Sequence, residues 1–235
     1  MNPAFDFLRH FLRPVMLLLL LSWSGVALSP VTCPNCGSTP VPLPLSTAAN
    51  CGDQLYKIRC KNSELFFDTL NNTYRISSIT PKSQRLTIEP APFLPNSTNT
   101  SSPGTTCVTE DISTVGIQLN SSLPFNITSS NTVLLLNCTD RLFHSPLDCS
   151  NSSGLCHTYI DASRDSGSPA GACAGAPICC NFRTGGSTTA YRIRIREAGC
   201  SAYRVFVNLN ESLPVRQWPN PALELEWKLL ADQGR

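Results

Sequence analysis

Charge is scarce in this sequence: only 14% of its 235 residues are Asp, Glu, Lys or Arg, against about 25% in an average soluble domain. The 18 basic and 16 acidic side chains leave a formal net charge of +2. No large positive field exists to release counterions from a phosphate backbone, which excludes a nucleic-acid-coating role. Histidine is nearly missing, and the two beyond the N-terminal segment, His144 and His157, belong to no H-E-x-x-H motif and flank no nucleophile motif. There is no Walker A loop, no G-x-G-x-x-G fingerprint and no protein-kinase signature. In the stretch 167–171, Ser168 stands one place too early for a nucleophile elbow. A pair of carboxylates far apart in the chain would still permit glycoside hydrolysis. With no positive motif for catalysis, the expectation is a binding protein with no cofactor and no metal.

Long apolar runs are also missing, except at the start. Arg9, His10 and Arg13 precede an uncharged stretch that runs from Val15 to Leu28. Its apolar core of about 14 residues falls short of the roughly 20 that span a bilayer. It ends in the small residues Gly25 and Ala27, so residues 1–27 read as a secretory signal cleaved after Ala27. The segment 132–136 is only strand-sized. The expectation is a secreted chain with no membrane span after signal removal.

Cysteine, by contrast, is abundant. The 12 are Cys33, Cys36, Cys51, Cys60, Cys107, Cys138, Cys149, Cys156, Cys173, Cys179, Cys180 and Cys200. An even number behind a signal implies a disulfide framework of about six bridges whose connectivity the spacing does not reveal. Cys33-x-x-Cys36 has no second pair or His tract to complete a zinc site. Side chains of the adjacent Cys179 and Cys180 would point to opposite faces of a strand, so each should have a different partner. Sequons for N-glycosylation occur at Asn71, Asn96, Asn99, Asn120, Asn126, Asn137, Asn151 and Asn210. Together with the wealth of neutral Asn, Ser and Thr, they describe a glycoprotein ectodomain.

Period-two alternation with β-branched and aromatic residues recurs, and no window longer than about ten residues keeps a helical period. The fold class expected is mainly β, a disulfide-rich secreted ectodomain of two small β-rich parts. Strands are expected at 55–60, 65–68, 73–79, 85–89, 115–119, 132–137, 178–183, 189–197, 203–209 and 223–229. The polar stretch 90–106 reads as a solvated, glycan-bearing loop, and the small-residue stretch 165–176 as a second loop. A boundary in 138–149 leaves six cysteines on either side, enough for each half to close its own bridges.

Candidate ligand-binding residues come from two basic groups. Arg192, Arg194 and Arg196 share one face of an alternating strand, about 6.5–7 Å apart, and could grip successive carboxylates of an anionic polymer. Equally, Glu224 and Glu226 on a neighbouring strand could neutralise them. Lys57 and Arg59 lie opposite Tyr56, Ile58 and Cys60; with Arg75, Lys82 and Arg85 they make either scattered solvated charge or a modest anion-binding surface. Trp227 reads as core, and Trp218, beside Pro219, as freer to be exposed.

Cys33-Pro34-Asn35-Cys36-Gly37, Val41-Pro42-Leu43-Pro44-Leu45, Asn50-Cys51-Gly52 and Tyr56-Lys57-Ile58-Arg59-Cys60 resemble the galacturonan-binding ectodomain of plant wall-associated receptor kinases. Further matches lie at 74–79, 85–88, 123–125 and 133–138. Leu43 and Leu45 stand where the family has Tyr and Phe. The resemblance implies a galacturonan-binding-like Cys-rich domain over 31–138 and a C-terminal Cys-rich ectodomain part over 139–235. It also implies non-catalytic binding of acidic pectin in the cell wall or apoplast. A receptor kinase or apoplastic peptide is the alternative partner, and a structural or peptide-binding glycoprotein the alternative function; a wall hydrolase or inhibitor is a third. The sequence ends at Arg235 without the transmembrane helix and kinase such receptors carry, which reads as an ectodomain-only form or an incomplete gene model. In the latter case the location would be the plasma membrane.

Overall fold

A computed structural model describes residues 31–94, 107–111, 116–139, 149, 154–175, 178–184 and 199–229. Residues 32–235 form one compact unit. The fold is mainly β, with nine strands among the described residues in two antiparallel sheets. Six strands build the larger sheet in the order β1-β2-β3-β4-β9-β5: β1 (Arg59–Lys61), β2 (Glu64–Asp68), β3 (Thr73–Thr80), β4 (Arg85–Ile88), β9 (Leu223–Trp227) and β5 (Phe125–Ile127). The smaller sheet has the order β7-β6-β8, from β7 (Ile178–Arg183), β6 (Asn131–Cys138) and β8 (Ala202–Val207).

Alternation explains the larger sheet. Leu65, Phe67, Tyr74, Ile76, Leu86, Ile88, Leu223, Leu225 and Trp227 are buried on one face, while their neighbours on the other, Phe66 apart, carry charge or hydroxyls. Residues Asn62 and Ser63, at φ 52° and 65°, make a two-residue hairpin turn of the type whose twist suits antiparallel strands. Strand β6 behaves differently, because its run Thr132 to Leu136 is buried throughout. Val133 and Leu135 face the larger sheet's core, and Leu134 and Leu136 face a second cluster on the far side. A strand covered on both faces needs no polar alternation.

That second cover is a helix, α1 (Leu155–Asp165). Sequence periodicity misses it because only Cys156, Ile160 and Ser163 are buried, at i, i+4 and i+7, and two of these three are not conventional apolar residues. On α1, Tyr159 stacks on Trp218 at 5.9 Å, and both meet Phe206. Trp218 is therefore half-buried, with its indole N–H donated to the Leu213 carbonyl at 2.9 Å, rather than freely exposed.

Other expectations are also corrected. Residues 55–60 are not one strand, since the Asp53 carboxylate accepts the Leu55 N–H at 2.9 Å and winds a 3-10 turn over Gln54–Tyr56. Within 116–119, Ile117 and Leu119 are buried, but the backbone bond from Leu70 to Gln118 does not extend into a ladder. The start of the 90–106 loop is packed rather than solvated: Ala91 and Phe93 are buried, and the Arg204 guanidinium lies 3.7 Å over the Phe93 ring. The stretch 165–176 contains a 3-10 helix, Pro169–Gly175.

Ten cysteines pair as Cys33–Cys51, Cys36–Cys60, Cys107–Cys173, Cys138–Cys200 and Cys149–Cys180. Cys156 and Cys179 are buried thiols, so five bridges stand where six were expected. Cys179 and Cys180 do lie on opposite faces, in different apolar clusters. The halves on either side of residue 138 do not close their bridges separately. Cys107–Cys173 and Cys138–Cys200 cross that boundary, and β9 completes the sheet begun by the first half.

Candidate ligand-binding face

The open face of the larger sheet gathers part of the predicted basic group. Arg59 on β1 is paired in register with Phe66 on β2, and Phe66 with Arg75 on β3. Directly opposed residues share a face, so a half-buried aromatic ring stands between two guanidinium groups whose strands are about 9.5 Å apart. Both arginines are well exposed, at 46% and 49%. Phe66 was missed at the sequence level. The run Leu65-Phe66-Phe67 reads as uniformly apolar, and only the alternation of β2 across the sheet decides that its middle residue faces outward.

Each guanidinium is already engaged. Arg59 pairs with Asp68 at 2.6 Å, and Arg75 with Glu64 at 2.9 Å and Glu89 at 2.8 Å. Glu89 and Glu64 hold the Arg75 guanidinium above its ordinary range. Such exposed pairs are weak and salt-screened, so a ligand carboxylate can exchange with them. Beside the row lies a cleft of about 340 Å³ lined by Arg75 but also by Glu89, Glu110 and Asp111. The cleft's acids disfavour an anion inside it.

The remaining candidates are not gathered there. Arg85 lies along β4 from Glu89, about 13 Å away at strand spacing. It is bound to Glu224 at 2.6 Å, and that carboxylate also accepts from Thr128 at 2.8 Å. Lys57 precedes β1, and Lys82 sits in the 3-10 turn between β3 and β4; both are exposed. Arg192, Arg194 and Arg196 lie outside the described residues. Glu224 and Glu226, the alternative partners for those arginines, lie on β9, which has β4 on one side and β5 on the other.

Among the sequons, Asn71 and Asn210 are exposed, while Asn120, Asn126 and Asn137 are half-buried. Asn96, Asn99 and Asn151 lie outside the described residues. No group of three or more His, Cys, Asp or Glu is placed to hold a metal among the described residues. Nor is any described helix long and apolar enough to cross a membrane.

Known proteins match most of this chain. Wall-associated receptor kinase-like 20 of Arabidopsis thaliana is 46% identical over 205 residues, covering 85% of this chain and 29% of that protein. Wall-associated receptor kinase-like 15 of the same plant is 42% identical over 219 residues, covering 90% of this chain and 32% of that protein. The chain is homologous to part of each of these wall-associated receptor kinase-like proteins. It spans under a third of the length of either relative. No family model and no solved structure matches it.

The Cys-Gly pairs of this family motif have a structural cause here. Gly37 and Gly52 both adopt φ +60°, and a Cβ would fall 2.7 Å from the Ser63 side chain at the first and 2.2 Å from the Leu45 carbonyl at the second. They close the backbone around two disulfides, where each leaves no room for a side chain. Leu45 is fully buried, so the aromatic usual at that position would be core, whereas Leu43 is 42% exposed.

Proposed function

We propose that this chain is an extracellular, non-catalytic ligand-binding portion of a receptor-like protein, exported by residues 1–27, and that it binds acidic pectin on the open face of the larger sheet. The observation that carries this is the row Arg59–Phe66–Arg75. Galacturonate carboxylates would exchange with the glutamates and aspartate now on the two guanidiniums, and a sugar ring would lie against Phe66. Relationship to wall-associated receptor kinase-like proteins supports the setting. A second reading, a structural or peptide-binding glycoprotein, is favoured by the ion pairs that neutralise the same face.

Retention on immobilised polygalacturonate distinguishes the two. Arg59→Glu with Arg75→Glu is expected to weaken retention at least roughly tenfold, about 1.4 kcal/mol of binding, and high salt should release the wild type. Retention that ignores salt, or none on polygalacturonate, would favour the second reading. Unchanged retention in this variant, with loss in Arg192→Glu/Arg194→Glu/Arg196→Glu, would move the site to that segment.

Asn137 is expected to stay unglycosylated while Asn71 and Asn210 carry glycans. Its amide donates to Ser201 Oγ at 2.6 Å, and its neighbour Cys138 is bridged to Cys200. Peptide mapping after enzymatic deglycosylation checks this, and a converted Asn137 would refute it.

A further inference from the structure

Cys156 and Cys179 are brought together by the packing of α1 on the smaller sheet. Cys156 is the second residue of α1, and its Sγ meets the Leu135 carbonyl at 3.2 Å. Leu135 on β6 is in register with Cys180 on β7, so the same rung places Cys156 beside the Cys179-Cys180 doublet. Beyond the effect of burial, Cys179 is close enough to act on the Cys156 thiol and raise it further. They are 1% and 3% exposed, within one apolar cluster. Burial pushes the Cys156 thiol well above its usual range, so the thiolate needed for metal binding or nucleophilic attack is suppressed in the folded core. Every other cysteine of the chain is bridged. A buried, reduced pair in one apolar cluster of a protein whose other ten cysteines are bridged is placed to be joined as they are.

We propose that Cys156 and Cys179 form a sixth disulfide, which ties α1 to β7. The reaction needs an oxidant, here the disulfide of a secretory-lumen oxidoreductase or of oxidised glutathione. One cysteine thiolate attacks a sulfur of that disulfide and expels one of its thiolates, leaving a mixed disulfide. The second cysteine then attacks its partner's sulfur and expels the other thiolate. Two protein thiols lose two electrons and two protons, and the oxidant's disulfide is reduced to two thiols. The step belongs to the folding chain, because the finished core excludes both thiolate and oxidant. Since Cys149–Cys180 already holds the next residue of β7, the doublet would be fastened on both faces of its strand: Cys180 to Cys149, and Cys179 to the helix.

The proposal rests on export through an oxidising compartment, and the other five bridges serve as its internal control. Protein recovered from the medium of secreting plant cells would be denatured without reductant in N-ethylmaleimide, deglycosylated, digested and mapped by mass spectrometry. The expected result is no alkylated cysteine, with one linked species joining the peptides of Cys149, Cys156 and the 179–180 doublet. Alkylation at Cys156 and Cys179 with the other ten cysteines bridged would overturn the proposal and leave export standing. Alkylation of all twelve would overturn both. In Cys156→Ala, a single newly alkylated thiol is expected at Cys179; its appearance at Cys180 would overturn the pairing.

Discussion

Replacing Trp227 with alanine is expected to remove roughly 3–5 kcal/mol of stability, a large share of the roughly 5–15 kcal/mol that holds an ordinary domain folded. Trp227 ends β9 and is 2% exposed. It is in register with Phe125, whose ring meets Phe67 at 5.0 Å and Tyr56 at 6.1 Å. Its backbone N–H is held by the Gln84 carbonyl at 3.0 Å, and the next residue's carbonyl accepts the Tyr56 hydroxyl at 2.6 Å. Truncation would therefore open a cavity where the last strand joins residues from the N-terminal third of the chain. Trp227→Phe should cost much less, roughly 1–2 kcal/mol, because it also removes a buried indole N–H that has no acceptor among the described residues. Urea unfolding with disulfides intact measures both. Equal losses in the two variants would show that cavity formation is not what decides.

Asp111→Ala is expected to cost about 2–5 kcal/mol by leaving two buried phenols without their acceptor. The Asp111 carboxylate takes hydrogen bonds from Tyr74 on β3 and, at 2.8 Å, from Tyr203 on β8, and so joins the two sheets. Burial raises its carboxyl above the ordinary value of 3.8, against the opposing pull of both hydroxyls; Glu110 raises it further. The sign follows from proton binding. Between the unfolded value and the raised folded one, the folded protein holds a proton the unfolded chain lacks, so stability falls as pH rises. Below about pH 4 both states are protonated and the contribution is complete. Asp111→Asn keeps an acceptor without the charge, and should flatten that part of the pH–stability curve at little cost. A slope unchanged in Asp111→Asn would assign the pH dependence elsewhere. At the alkaline end, burial raises Tyr74 and Tyr203 well above 10.0, so stability should also fall as pH passes the phenol range of the unfolded chain.

Strands such as 73–79, 85–89 and 223–229 were legible because one face of the larger sheet is buried and the other wet, which writes a period of two into the residues. Strand β6 was legible for the opposite reason, being apolar without interruption. What escaped were elements whose stability is not carried by apolar pattern. The helix Leu155–Asp165 buries a cysteine and a serine on its stripe, and the turn at Gln54–Tyr56 depends on one carboxylate reaching one N–H. The candidate site was half legible. Arg59 and Arg75 were named from charge, whereas that Arg85 pairs with Glu224, 139 positions away in sequence, is not written in its neighbours.

By itself, the amino-acid sequence determined the β class, the cysteine-rich framework and the kinship with wall-associated receptor kinase-like proteins. Each of these is encoded in local periodicity, in residue counts or in short motifs whose glycines and cysteines answer to their immediate neighbours. Only the tertiary structure decided which cysteines meet, that the halves on either side of residue 138 share one core, and that Phe66 stands outward between Arg59 and Arg75. The physical reason is common to all three. Pairing, burial and charge neutralisation depend on distances between residues remote in the chain, and those distances come into being only when the sheets close on each other.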